Sequence, residues 1–216
     1  MEWVISKGPS RVRVAHFDVA GTGETLEQFQ ALESCEDHLG AVYWKEAVEL
    51  FVPFLVKQFA KLPIKRVLCL GEGPGASGLA LAAGVKLKRV VLTDLRVLNP
   101  LLEFNLRLNP HLKDVCRVWP LDWTEEASLA DFKTDHYDAV IGCEVLYGNR
   151  FAWPGLKRVL AQTLKPGGVA YFCVTFRNGR KDVDDFCSLL AEGGVFEKVK
   201  EWQLQKHLVA FRVDKL

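Results

Sequence analysis

Five residues with β propensity, Arg66-Val67-Leu68-Cys69-Leu70, lead into Gly71-Glu72-Gly73-Pro74-Gly75-Ala76-Ser77-Gly78 and then into a helix-like Ser-Gly-Leu-Ala-Leu-Ala-Ala-Gly. Glycines at such a junction let the backbone turn sharply, approach a ligand closely and pack a helix against a strand. The start of the helix adds unpaired backbone donors and a partial positive charge. A spacing of this kind is shared by NAD, FAD and methyl-donor enzymes, and a tight strand-to-helix turn needs little more. Asp94 ends the next apolar run, Val-Val-Leu-Thr-Asp, 21 residues after Gly73. A carboxylate there can accept hydrogen bonds from ribose hydroxyls, and it can equally cap the helix that follows.

Three further features tilt the reading from a dinucleotide to a methyl donor. Asp122, in Leu121-Asp122-Trp123, follows the third apolar run. Its carboxylate could accept from an adenine amino group while apolar neighbours hold the ring, or it could simply cap Thr124-Glu125-Glu126. Leu164-Lys165-Pro166-Gly167-Gly168 is a turn that reverses the chain before the fifth run, so its value is topological. Glu144-Val145-Leu146-Tyr147 falls at the carboxyl end of the fourth run. Open α/β sheets bind ligands at those ends, although a helix cap and a half-buried aromatic would use the same residues.

These groups need rigid elements to position them. Arg-Val-Leu-Cys-Leu, Arg-Val-Val-Leu-Thr-Asp, Val-Cys-Arg-Val-Trp, Tyr137 to Val145 and Gly168 to Phe176 are β-rich, and helical or polar segments separate them. Such alternation marks right-handed βαβ units in a parallel sheet covered on both faces. The ending differs, because Phe196–Leu204 and His207–Val213 flank a Gln-Lys turn and predict an antiparallel hairpin. The expected fold is α/β: a doubly wound, Rossmann-like, seven-stranded sheet, mostly parallel, with a C-terminal antiparallel hairpin. Upstream, Tyr43–Leu62 places apolar residues at helical intervals, with Pro53 a place for a kink. Arg11–Val19 alternates like a strand. One domain is expected over residues 1–216, with 1–38 an N-terminal strand or lid segment and 39–216 the catalytic core.

Composition narrows the partners. With 28 Lys+Arg against 27 Asp+Glu, nothing overall calls for a nucleic-acid partner. The basic stretch Phe176-Arg177-Asn178-Gly179-Arg180-Lys181 could meet an acidic protein surface or a phosphate, or lie in solvent. Trp119, Trp153 and Trp202 lack an accompanying basic stripe and are expected to pack. The six cysteines (Cys35, Cys69, Cys116, Cys143, Cys173, Cys187) form no CxxC pair, which suits reduced thiols in an intracellular protein. His16, His38, His111, His136 and His207 show no metal-ligand spacing. The start lacks an apolar signal-peptide core, and no run approaches the ~20 apolar residues of a membrane span. A soluble, cytoplasmic or nuclear monomer is expected.

These features together resemble the class I S-adenosylmethionine-dependent methyltransferases, and more narrowly the seven-β-strand protein-lysine methyltransferases, whose members often carry a nicotinamide N-methyltransferase-like label. The resemblance runs from about Leu39 to the C-terminus. Gly40-Ala41-Val42-Tyr43-Trp44 matches a Gly-Xaa-Xaa-Xaa-Trp segment before a helix; Gly71, Gly73 and Gly75 match the glycine loop; Asp94 matches the acidic strand end. Asn105-Leu106-Arg107-Leu108-Asn109 and the pair Asp122-Trp123 also look familial, and Glu144-Val145-Leu146-Tyr147 stands where the family has Asp-Xaa-Xaa-Tyr. The resemblance implies a cofactor set of Trp44, Gly71, Glu72, Gly73, Gly75, Asp94, Leu95, Asp122, Trp123 and Cys143. It also implies a substrate-side pair, Glu144 and Tyr147. Two departures stand out: Cys69 occupies a usually acidic position that Glu72 could compensate, and Glu144 carries one methylene more than the usual Asp.

What the resemblance implies is methyl transfer from S-adenosylmethionine, leaving S-adenosylhomocysteine, to a protein lysine. A small amine is the second acceptor, and a binding protein on a methyltransferase frame is the alternative outside enzymology. Hydride transfer is disfavoured because nothing between Asp122 and Tyr147 offers Tyr-xxx-Lys or His–Asp geometry. A lysine amine, with an ordinary pKa near ~10.4, must lose its proton before it can attack. Glu144 is expected to grip the amine and relay that proton to water, with Tyr147 as wall or hydrogen-bond partner.

Overall fold

Side chains alternate between the two faces of a strand, so a strand buried on both faces must be apolar at successive positions. Arg66–Leu70 meets that demand: Val67 and Cys69 join one buried cluster, and Leu68 and Leu70 join another. The same split repeats along the chain, with Val90 and Leu92 against Val91, and with Val169, Tyr171 and Cys173 against Ala170, Phe172 and Val174. The sheet therefore separates two cores, as a doubly wound fold requires.

The computed structural model describes residues 3–4, 12–14, 40–132, 136–177 and 179–216. Its strands are β1 (Trp3–Val4), β2 (Arg13–Val14), β3 (Arg66–Leu70), β4 (Arg89–Asp94), β5 (Cys116–Pro120), β6 (Tyr137–Cys143), β7 (Leu164–Thr175), β8 (Phe196–Gln205) and β9 (Leu208–Lys215). The α-helices are α1 (Lys45–Phe59), α2 (Ala76–Gly84), α3 (Asn99–Arg107), α4 (Trp153–Thr163) and α5 (Lys181–Ala191). Seven strands make one sheet in the order β5-β4-β3-β6-β7-β9-β8. Strands β3 to β7 run parallel, and β9 inserts antiparallel between β7 and β8. The seven-stranded, hairpin-ended sheet expected above is the one observed.

Helix α1 buries Ala47, Val48, Phe51, Val52, Leu55 and Phe59, a stripe at three- and four-residue intervals that faces the sheet. Pro53 lies inside it, and Trp44 stands at its N-cap. Helix α2 is buried along almost its whole length, from Ala76 to Ala82, and its small residues let it pack closely against both α1 and the sheet. On the other face, α4 contributes Leu156, Val159 and Leu160, while α5 contributes Val183, Phe186 and Leu190. Phe172 of β7 meets Phe186 edge-on at 5.4 Å and stacks on Phe211 at 5.3 Å, locking the hairpin end of the sheet to that layer.

Several boundaries differ from the sequence reading. The strand expected to run to Val145 ends at Cys143, because Glu144 adopts a positive φ of 61° that no strand tolerates. Leu164–Gly168 is not a reversal ahead of the fifth strand but an outward loop within β7. Tyr137 pairs with Leu164 and Ala139 with Val169, so three extra residues bulge out. Of the run Arg11–Val19, Arg13 and Val14 pair antiparallel with Val4 and Trp3, and residues 15–19 lie outside the described residues. Most of the 1–38 segment and Cys35 lie outside them too. Cys69, Cys116, Cys143, Cys173 and Cys187 are free thiols. No helix among the described residues is long and apolar enough to cross a membrane.

Candidate active site

The carboxyl ends of β3, β4 and β6 open into one cavity of about 400 Å³. Gly71, Glu72 and Gly73 form its floor, Asp94 and Leu95 one side, Asp122 and Trp123 another, and Trp44, Cys143, Glu144 and Tyr147 the rim. Every residue assigned to the site from sequence lines this cavity except Gly75. Gly75 is the left-handed N-cap of α2, at φ 82°. A side chain on it would point at Leu102 Cδ2, 3.0 Å away, so it shapes the turn from behind. Tyr43, Ser77, Asn149 and Phe151 also line the cavity; Tyr43 and Ser77 stand at unspecified positions of the quoted motifs, and Asn149 and Phe151 lie in none.

The glycine loop is held by a short list of bonds. Glu72 N–H donates to Thr93 O at 3.1 Å and Gly75 N–H to Glu72 O at 2.8 Å. Gly73 N–H donates to Asp94 Oδ2 at 2.7 Å, while Leu95 N–H donates to Asp94 Oδ1 at 2.7 Å. Asp94 thus fixes the loop as well as facing the cavity. From outside, buried Asn105 donates to Pro74 O at 2.7 Å. Asn109, one helical turn later, exchanges bonds with the backbone of Arg13, accepting from its N–H at 2.9 Å and donating to its carbonyl at 2.7 Å. The familial Asn105–Asn109 segment therefore ties the glycine loop and strand β2 to α3.

The departure at Cys69 has a geometric counterpart. A Cβ placed on Gly78 would meet Cys69 Sγ at 3.0 Å and Glu72 Oε2 at 3.1 Å, so thiol and carboxylate crowd the same spot beneath the first turn of α2. Glu72 accepts from Ser77 Oγ at 2.6 Å and from Gly78 N–H at 2.9 Å, satisfying an otherwise orphan helix donor. An acid at position 69 would bring a second buried carboxylate against this one. Burial pushes the Glu72 carboxyl up to about 7; the Ser77 and Gly78 bonds pull it down, and neighbouring Asp94 adds to the rise.

That shift fixes a pH dependence. The folded value lies above the ordinary 4.5, so the native state holds an extra proton between the two. The stability this lends is full below about 4.5 and is lost as pH rises through about 7. At ~1.4 kcal/mol per unit, the loss is at most about 3.5 kcal/mol. Glu72→Gln keeps an acceptor for Gly78 and never ionises. Thermal melts should show the wild type falling behind this variant by several degrees at pH 8 and matching it near pH 5. Parallel pH profiles for the two proteins would refute the assignment.

Asp122 Oδ1 accepts from Thr124 N–H at 2.8 Å and from Thr124 Oγ1 at 2.6 Å. The capping reading of Asp122 is thus realised, and Oδ2 takes no part in it. Close approach fixes this segment, because a Cβ on Gly155 of α4 would lie 1.9 Å from Trp123 O. The buried Trp123 Nε1 has no hydrogen-bond partner among the described residues.

Charge separates the candidate ligands. Glu72, Asp94, Asp122 and Glu144 line the cavity, and none of its described lining residues is Lys, Arg or His. A dinucleotide's pyrophosphate would meet the carboxyl groups of Glu72, Asp94 and Asp122 with no cationic side chain in the lining, the fourth, Glu144, being paired with Arg177. An adenosyl sulfonium instead brings a cationic centre, two ribose hydroxyls and an exocyclic amine to an acceptor-rich wall. The residues present fit S-adenosylmethionine: Asp94 would hold the ribose, Asp122 the adenine edge, and the glycine loop and Glu72 the neighbourhood of the amino-acid end. Bound there, S-adenosylmethionine supplies a methyl group activated by its sulfonium.

At the rim, Glu144 is side-chain buried to 2%. Its Oε1 accepts from Thr175 N–H at 2.8 Å and from Thr175 Oγ1 at 2.7 Å. Its Oε2 lies 2.8 Å from Arg177 Nη1, an ion pair outside hydrogen-bond geometry. The Arg177 guanidinium lies 4.2 Å from the Tyr147 ring centroid and 5.0 Å from that of Trp44. The two arginines of the basic stretch are thus paired with carboxylates elsewhere in the chain. Arg177 turns inward, Arg180 pairs with Glu201 at 2.5 Å, and Lys181 opens α5, while Asn178 lies outside the described residues. Trp153 and Trp202 pack, against Phe186 and Phe54 respectively, whereas Trp119 is exposed and donates to Asp131 at 3.2 Å. Among the described residues no cluster of three or more His, Cys, Asp or Glu is arranged to hold a metal.

Fold and cavity define the class of S-adenosylmethionine-dependent methyltransferases. The chain belongs to the lysine methyltransferase family, whose family model matches residues 25–192. Among solved structures it resembles the CurJ carbon methyltransferase, with a TM-score of 0.61 and 14% identity over 87% of this chain. It spans 57% of that longer chain. The N-methyltransferase NodS from Bradyrhizobium japonicum WM9, solved with S-adenosylhomocysteine, gives a TM-score of 0.58 at 13% identity, covering 78% of this chain and 87% of its own. The [4+2]-cyclase SpnF gives 0.62 at 13% identity, over 84% of this chain and 85% of its own. At such identities the likeness is one of fold, and SpnF illustrates that the fold carries more than one chemistry. No curated protein matches the chain by sequence comparison.

Proposed function

We propose that the protein transfers a methyl group from S-adenosylmethionine to the ε-amine of a lysine in another protein. The observation that carries this reading is the rim: a buried carboxylate, Glu144, and two aromatic rings, Trp44 and Tyr147, converge on a cationic side chain where the cofactor cavity opens. A lysine is the side chain whose charge and length suit such a place. Trp44 is 37% exposed, Tyr147 50% and Phe151 79%, so the rim is open, which favours a macromolecular acceptor over an enclosed small amine.

In this reading Glu144 orients the incoming ammonium and hands its proton to water, while the rings shield the aligned amine. A carboxylate favours the charged amine, so its contribution is grip and alignment rather than strong basicity. The positive φ of Glu144 costs about 1–2 kcal/mol and is offset by its bonds to Thr175, which fix the carboxylate. The test is incubation with tritium-methyl S-adenosylmethionine and demethylated cell proteins, followed by acid hydrolysis and chromatography of the labelled amino acids. Label in methylated lysine is expected, reduced about 100-fold in Glu144→Ala. Label confined to small amines, or S-adenosylhomocysteine binding with no incorporation at all, would overturn the proposal.

A further inference from the structure

Beside the cavity, the rim groups of the acceptor side are already engaged by the chain itself. Arg177 follows β7 by two positions and reaches back to Glu144, 33 residues earlier in sequence. Its guanidinium lies near the faces of Tyr147 and Trp44, with a carboxylate oxygen at its edge. Carboxylate plus aromatic faces is the chemistry that selects organic cations: the rings attract the charge through their quadrupoles, and the anion sets its position. All three cage residues line the same cavity as the glycine loop, so the cage opens onto the cofactor site.

We propose that Arg177 is an internal occupant of a cation cage formed by Glu144, Tyr147 and Trp44, and that a cationic acceptor side chain enters by displacing it. The proposal rests on the lysine reading above and deepens it. Arg177 sets the threshold an acceptor must pass, because an incoming ammonium must replace an ion pair and two ring contacts. Glu144 makes the cage dependent on an occupant. Its Oε1 is held by Thr175, and its Oε2 has the Arg177 guanidinium as its cation. A buried carboxylate left without a cation is costly, so an emptied cage should take up another. Arg177 is the replaceable member, since its side chain is 24% exposed against 2% for Glu144, and no hydrogen bond fixes it at that oxygen.

The test empties the cage. Arg177→Ala and Arg177→Met, each saturated with S-adenosylhomocysteine, are titrated with ethylguanidinium, n-butylammonium and neutral ethylurea. The indole resonance of Trp44 is followed by NMR, and wild type is run alongside. Both cations are expected to shift that resonance saturably in the variants, about tenfold or more tighter than in wild type. Ethylurea should leave it still, and adding Glu144→Gln should remove the response. Equal responses in wild type and variants would overturn the proposal, as would variants that bind S-adenosylhomocysteine but no cation. Loss of the fold in both variants would also overturn it, making Arg177 a structural strut. Cation uptake without production of methyl-lysine would sink the lysine reading and leave the cage standing. Methyl-lysine production without cation uptake would do the reverse.

Discussion

Gly73→Ala is expected to reduce S-adenosylhomocysteine affinity by at least about 100-fold while leaving most of the protein folded. Gly73 has a φ of 54°, where a Cβ costs about 1–2 kcal/mol. Steric contact costs more. A Cβ built there lies 2.2 Å from Gly40 O and 3.4 Å from Gly40 C, and both atoms are backbone, so no rotamer relieves the clash. Either the glycine loop lifts away from Asp94, breaking the 2.7 Å bond from Gly73 N–H, or the segment leading to Trp44 retreats. Overpacking of this kind adds about 1–3 kcal/mol or more. Both movements deform the cofactor cavity, while most of the two cores lies in the sheet and in helices away from this contact. Titration calorimetry would show the lost affinity, and circular dichroism the retained fold. Wild-type affinity in this variant would mean that the contact between Gly73 and Gly40 does not shape the site.

Asp94→Ala is the second large effect. The substitution removes the acceptor for Gly73 N–H and for Leu95 N–H, and with it the carboxylate facing the ribose. Hydrogen bonds to a charged group are worth about 1.5–3 kcal/mol each, so S-adenosylhomocysteine affinity should fall about 100-fold or further. Asp94→Asn keeps one carbonyl oxygen and should lose less. Equal losses in both variants would show that charge, rather than acceptor geometry, is what Asp94 supplies. An unchanged affinity in Asp94→Ala would remove Asp94 from the site altogether.

Much of the sheet was legible because its strands are buried on both faces. Runs such as Val67–Leu70 and Val90–Leu92 must be continuously apolar, and that pattern survives in a single sequence. The hairpin was legible for the opposite reason: β8 is largely exposed and polar, with Phe196 its one buried residue, and a two-residue turn follows. Local context also marked Asp94, since a carboxylate ending a strand beside a glycine loop faces both the loop and the cavity there. The outward loop of Leu164–Gly168 was not legible, because a Pro-Gly-Gly stretch serves a bulge as well as a reversal. Nor was the inward turn of Arg177, whose partners lie 33, 30 and 133 residues away in sequence. A basic hexapeptide reads as solvated surface until the fold supplies carboxylates for it. Gly75 shows the limit of motif transfer: its position matches the loop pattern, but its role is the left-handed cap of α2 rather than the wall of the cavity.

Calorimetric titration of the purified protein with S-adenosylmethionine, S-adenosylhomocysteine and NAD tests the central claim most directly. The acceptor-rich, cation-free lining predicts saturable binding of both adenosyl ligands and no heat from NAD. Binding of NAD with silence from both adenosyl ligands would contradict it.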